Sequence, residues 1–167
     1  MQAAPIPANE AARLQALREL LILDTPPEER FDRICRFAAE EFEVAQVLVN
    51  LVDAERQWSK ACAGAPVPEL PRALSFCAHA ILGDELMEVE DARQDPRFHD
   101  NPLALAEPPV RFYAGAPLRL ANGAVVGTLC LADPQPRRLD VYERGILRAL
   151  RDLVVEELQR RSDEASA

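Results

Sequence analysis

A chain of 167 residues is one domain by default and can bury about 70% of the surface it exposes when unfolded. Its 49% hydrophobic and 28% charged content excludes wholesale disorder. A net charge of −9, with Lys60 the single lysine, excludes a broad basic face, so neither nucleic acid nor an anionic membrane surface is an expected partner.

Residues 1–8 and 162–167 read as flexible tails around a single domain at 9–161. A first helix starts at the N-cap Asn9 and carries Leu14, Leu17, Leu20 and Leu21 before stopping near Asp24, ahead of Pro26 and Pro27. Thr25-Pro26-Pro27-Glu28 has the spacing of a capping box for a second helix, whose apolar face is Phe31, Ile34, Cys35, Ala38 and Phe42. Val47–Val52 and Gln57–Ala63 read as a hairpin about Asp53–Arg56. After a loop with Pro66, Pro68 and Pro71, Ser75 caps a short helix over Phe76–Leu82, and Gly83 ends it.

Leu86–Val89 is a short strand. The proline-rich stretch Asp91–Pro109 holds one or two helical turns, with Asp95-Pro96 and Asn101-Pro102 as their starts. Val110–Leu120 alternates Val110, Phe112, Ala114, Ala116 and Leu118 against Arg111, Tyr113, Gly115 and Pro117. It turns at Asn122-Gly123 and returns over Ala124–Ala132. Asp140 caps a last helix to about Arg161, striped by Leu147, Leu150, Leu153, Val154 and Leu158. Hairpins flanked by helices predict an α+β fold: a central antiparallel sheet of five to six strands, with a loop-covered pocket for a small molecule.

No apolar run reaches the roughly 18 residues of a membrane span, and the first residues have neither the basic start nor the apolar stretch of a secretory signal. The scattered Cys35, Cys62, Cys77 and Cys130 contain no C-x-x-C pair and read as reduced thiols. The expected location is the cytoplasm.

Six segments together resemble a GAF domain. They are LDTPPEERFDRI (Leu23–Ile34), DAERQW (Asp53–Trp58), SFCAHAI (Ser75–Ile81), DARQDPRF (Asp91–Phe98), VRFYAGAPL (Val110–Leu118) and VVGTLCLAD (Val125–Asp133). No one of them is diagnostic; six in the right order are specific. The resemblance implies N- and C-terminal helices on one face of the sheet, often dimerising there, and a ligand pocket under short helices and loops on the other. It implies a sensory or regulatory role, usually as the input of a kinase, nucleotide cyclase or transcription factor. No output domain is recognisable, so the chain acts on a signalling protein in trans or is a segment of something longer.

Departures from the family narrow its chemistry. The bilin-binding members place a Cys-His pair where this chain reads ALAEPPVRFY, so no covalent chromophore is expected. The Asn-Lys…Phe…Asp-Glu pattern of cyclic-nucleotide binders is missing. Members that reduce free methionine sulfoxide carry a nucleophilic cysteine where Glu107, Pro108 and Pro109 stand here. Cys77 matches another cysteine of that branch.

Cys77 and His79 lie two apart on a predicted helix and point about 200° from each other, so they cannot grip one metal ion. No metal, cofactor or catalytic set is expected. The residues chosen for the pocket are Phe76, Asp91, Phe98, Phe112, Tyr113 and Gly115. Aromatics would wall it, Asp91 would accept a ligand hydrogen bond, and Gly115 would let a ligand approach the backbone. Core packing is the competing reading of Phe76 and Phe112. Strand alternation puts Phe112 and Tyr113 on opposite faces, so both cannot line one cavity. The reading is a non-enzymatic sensory domain that binds a small molecule, with a homodimer through its terminal helices. The alternatives are a dimerisation scaffold with a filled pocket and a thiol reductase.

Overall fold

The computed structural model describes residues 1–166. Six strands form one antiparallel sheet: β1 (Gln46–Val52), β2 (Arg56–Ala63), β3 (Leu70–Pro71), β4 (Met87–Val89), β5 (Phe112–Arg119) and β6 (Val125–Asp133). Their order is β3-β2-β1-β6-β5-β4, so the hairpins β1–β2 and β5–β6 meet through β1 and β6 at the centre. At the β5–β6 turn Gly123 takes φ +89°, which glycine adopts without strain, and the Asn122 side chain accepts from Ala124 N.

The period of two sorts the strands cleanly. On β1, Val47, Val49 and Leu51 face one core while Leu48, Asn50 and Val52 face the other side. On β5, Phe112, Ala114, Ala116 and Leu118 join the first core and Tyr113 the second. The first core is closed by α1 (Glu10–Glu19), α2 (Glu29–Phe42) and α5 (Val141–Ser166), which bury Leu17, Phe31, Phe42, Leu147 and Leu158 against the sheet. Each such side chain contributes about 1.5–3 kcal/mol by leaving water. Ala114 and Ala116 let α5 lie close to β5. The second face carries α3 (Phe76–Ala80), α4 (Pro102–Leu105) and two 3₁₀ turns at Arg72–Leu74 and Ala92–Gln94.

The capping box expected at Thr25–Glu28 does not form. Helix α2 begins four residues after Thr25, and its N-cap Glu28 makes no capping bond. The reason lies on β2: the buried ammonium of Lys60 needs partners, and it takes Thr25 Oγ1 at 2.7 Å, Pro26 O and Glu28 Oε2, both at 2.6 Å. A capping box occurs instead at α5, where Asp140 Oδ1 accepts from Glu143 N at 2.8 Å and Glu143 Oε1 accepts from Asp140 N at 3.1 Å.

Other boundaries shift modestly. Helix α1 ends by Leu20, where Leu21 and then Asp24 take positive φ. Helix α5 continues through Ser166 over residues read as tail, and Ala167 lies outside the described residues. Residues 1–8 carry no regular structure up to the turn at Ala8, but the backbone of Gln2 reaches both His79 Nε2 and Arg97. The stripe Leu147, Leu150, Val154 and Leu158 is buried against the chain's own sheet; what α5 leaves outward is Leu153, Val141 and Tyr142.

Candidate functional site

The second face does not pack solid. Beneath the loop cover it holds a cavity of about 360 Å³. Leu48 and Asn50 of β1, Gln57 of β2, Tyr113 of β5 and Cys130 of β6 form its floor; Phe76 and Cys77 of α3 form one wall. Val67, Leu103, Pro108, Pro109 and Val110 form the cover. Pro66 and Pro108 at the rim are exposed. The prolines keep these segments out of the sheet, so the cover stands off the floor instead of adding a strand.

The floor carries a compact polar cluster. Cys77 Sγ accepts from Tyr113 OH and Thr128 Oγ1, each at 3.1 Å, and from Asn50 Nδ2 at 3.4 Å. The same Asn50 nitrogen lies 3.4 Å from Cys130 Sγ. Ser59 Oγ donates to Asn50 Oδ1, which fixes the amide orientation, and Ser75 Oγ ties Gln57 to the start of α3. Among the described residues no buried side-chain nitrogen or oxygen lacks a partner.

Burial disfavours the Cys77 thiolate, but hydrogen bonds from Cys130, Thr128, Tyr113 and Asn50 outweigh it and draw this thiol below its ordinary value. Cys130 moves the other way: its bond to Cys77 and then its burial hold it well above the usual thiol range. Burial likewise pushes the Tyr113 phenol well up, which keeps it a neutral donor. Burial also raises the other two thiols, Cys62 and Cys35, the latter up to about 12.

The electrostatics of the cavity are simple. Among the described residues that line it there is no arginine or lysine, and Asp133 at its edge is the only formally charged one. Asp133 is itself occupied by the backbone N–H groups of Ala45 and Gln135. Among the described residues no three His, Cys, Asp or Glu side chains converge as a metal site.

Of the six residues chosen from sequence, Phe76 and Tyr113 line the cavity. Phe98 stacks on Phe76 from behind, with ring centroids 4.1 Å apart, and does not line it. Phe112 points into the helix-side core, as alternation requires once Tyr113 faces the cavity. Asp91 caps the turn at Ala92–Gln94 and forms a two-point ion pair with Arg111 at 2.6 and 3.0 Å, away from the cavity. Those hydrogen bonds hold its carboxyl below the usual range. Gly115 also has another role than the one expected. A Cβ there would meet the Tyr113 hydroxyl at 2.3 Å, so the glycine makes room for the Tyr113 ring to lie back along β5 and reach Cys77. Trp58 packs on the helix-side core.

Asn50, Thr128 and Cys130 were missed. A signal for two of them exists: Asn50 interrupts VLVNLV and Thr128 interrupts VVGTLCL, each a lone polar residue in an apolar strand. Such residues are buried only with partners, and here both donate to Cys77 Sγ, while Ser59 Oγ donates to Asn50 Oδ1.

A family model for the GAF domain matches residues 26–158. A cyclic di-GMP phosphodiesterase of Pseudomonas aeruginosa is 42% identical over 137 residues, 82% of this chain and 23% of that protein, so the chain spans under a quarter of that relative. Two solved structures share the fold. The GAF domain of an Acinetobacter phosphoenolpyruvate-protein phosphotransferase superposes with a TM-score of 0.65 at 16% identity, over 93% of this chain and 98% of that one. A free methionine-R-sulfoxide reductase of Neisseria meningitidis, solved with its substrate, superposes with a TM-score of 0.64 at 18% identity, over 99% of both chains. With most of its length covered by that family model, the chain belongs to the GAF domain family.

Proposed function

We propose that this GAF domain is a non-enzymatic sensor that binds a small, uncharged, largely apolar molecule in the cavity under its loop cover. The observation that carries this reading is the make-up of the lining: apolar walls, neutral polar groups on the floor, and no basic side chain. An anionic guest would leave its charge uncompensated in a poorly solvated site, which costs several kcal/mol. Cyclic nucleotides and cyclic di-GMP are therefore poor candidates for this cavity. A neutral molecule of modest size leaves apolar walls and floor donors satisfied.

The signal would leave through the sheet to α1, α2 and α5, whose outer surface carries exposed Phe37 and Leu153. A second copy would pair on that surface, as a homodimer through the terminal helices. The likeness to part of a cyclic di-GMP phosphodiesterase supports a downstream enzyme that turns over or responds to a nucleotide second messenger, linked in one chain or acting in trans. Four free thiols suit a reducing cytoplasm.

Native mass spectrometry of freshly purified protein tests the reading. A small-molecule adduct that is released on denaturation is the expected result. No adduct, together with no thermal shift across a panel of neutral apolar compounds, would sink it. Sedimentation of the wild type and of Phe37→Asp with Leu153→Asp checks the dimer: a dimer is expected for the first and monomer for the second.

A further inference from the structure

The four thiols sit in unlike surroundings. Cys35 is packed in the helix-side core, and Cys62 is half-buried with its sulfur toward the Ala65 carbonyl at 3.3 Å. Cys77 in the α3 wall and Cys130 in the β6 floor instead both line the cavity, and α3 and β6 pack directly on each other. Both sulfurs lie 3.4 Å from the same nitrogen, Asn50 Nδ2, which places the two thiols on either side of one amide. Three neutral donors converge on Cys77 Sγ: Asn50, Tyr113 and Thr128. That is more donor capacity than a packing thiol needs, since S–H is a weak acceptor. It suits a sulfur that carries negative charge during a reaction. No basic side chain is among the lining residues to attract an anionic oxidant, so the reactant that reaches the sulfur through the exposed rim is neutral.

We propose that Cys77 and Cys130 are a redox pair that a neutral peroxide oxidises, inside the cavity, to an intramolecular disulfide between α3 and β6. The Cys77 sulfur attacks one peroxide oxygen and the O–O bond breaks. The departing oxygen takes the Cys77 proton and leaves as water or alcohol, and Cys77 becomes a sulfenic acid. Cys130 sulfur then attacks Cys77 sulfur. The S–O bond breaks, the hydroxyl leaves with the Cys130 proton as a second water, and the disulfide forms. The two thiols lose two electrons and the peroxide gains them. A small dithiol reverses the change by thiol–disulfide exchange. Oxidation weakens the acceptor that holds Tyr113, Thr128 and Asn50, so the two of these donors that line the cavity, Tyr113 and Asn50, become available to it. The pair needs no bound guest, and its test is independent of the ligand reading.

Hydrogen peroxide or cumene hydroperoxide at one equivalent, followed by alkylation of the unfolded protein and peptide mass mapping, tests the pair. The expected result is a disulfide joining the Cys77 and Cys130 peptides, with Cys35 and Cys62 alkylated, and with Cys77 oxidised roughly tenfold or more faster than Cys62. In Cys130→Ala, a sulfenic acid trapped on Cys77 by dimedone is expected, while circular dichroism checks the fold. The wild-type map decides the matter even where a variant fails to fold. Oxidation confined to Cys62, a disulfide joining any other pair, or four free thiols after exposure would each overturn the proposal.

Discussion

Behind the sheet, α1, α2 and α5 press Leu17, Phe31, Leu147 and Leu158 onto Val49, Leu51, Phe112 and Leu129, none more than 1% exposed; in front, the cover of Val67, Leu103 and Val110 stays half-exposed over a void of about 360 Å³. Both faces belong to the same strands. The difference comes from what lies on top. Helices bring continuous apolar stripes that can meet every strand residue, whereas proline-rich loops cannot pair with the sheet or fill it. The sheet is therefore a rigid partition between a close-packed core and a space able to admit a guest. Polar residues mid-strand, such as Asn50 and Thr128, are tolerated on the second face because Ser59 and the Cys77 sulfur satisfy them there.

The sharpest way to break this comparison is to truncate both faces. Phe112→Ala on the helix side should lose about 3–5 kcal/mol, because the close-packed surroundings cannot collapse into the gap. Leu103→Ala on the cover should lose under about 1 kcal/mol, because its atoms already border empty space. Urea unfolding of both variants reads the contrast, and equal losses would contradict it.

Next comes the link between the sheet and the helix layer. Lys60→Met should destabilise by about 2–3 kcal/mol, since Thr25 and the Pro26 carbonyl lose their donor and Glu28 keeps only its arginine neighbours. Fluorescence of Trp58 during denaturant unfolding measures it. A loss within experimental error would show that Lys60 does not anchor the approach to α2.

Acid gives a comparable but gradual effect. Glu10 is partly buried, which raises its pKa, yet Arg13 and Arg72 outweigh this and hold it at about 2 against an ordinary 4.5. A lowered folded-state pKa stabilises the protein above the unfolded value. That contribution is lost as pH falls from about 4.5 toward 2. After allowance for solvent screening it amounts to about 2 kcal/mol. Urea midpoints across this pH range should fall more steeply in the wild type than in Glu10→Gln; parallel curves would refute the assignment.

The smallest expected change in stability carries the most functional weight. Ala132→Leu adds a side chain where the cavity wall has room, and should alter stability by less than about 1 kcal/mol while abolishing retention of a guest. Native mass spectrometry and thermal unfolding, run together, separate the two effects. Full retention would place the guest elsewhere.

Much of the architecture was legible in advance for local reasons. Alternation in Val110–Leu120, the Asn122-Gly123 turn and the Ser75 cap each act over a few residues, and each lies where it was expected. The site was less so. Tyr113 and Phe112 are equivalent to any local rule, and only the placement of the helices on one face shows which of them meets the cavity. Asp91 looked like a binding carboxylate because Arg111, twenty positions away, was not visible as its partner. Thr25–Glu28 has the pattern of a capping box, but the demand of a buried ammonium on β2 overrode it.

By itself the amino-acid order determined the strand and helix periods, the turns and caps, the absence of a broad basic face, and the resemblance to the family. These depend on backbone preference and side-chain type along a few neighbouring positions. Only the folded arrangement decided that Cys77, Cys130, Asn50, Tyr113 and Thr128 form one cluster, that Gly115 yields space to a tyrosine, and that the loop cover leaves a void. Each of these is a distance between residues far apart in the chain, set by how two hairpins meet at β1 and β6 and by which layer covers each side of the sheet.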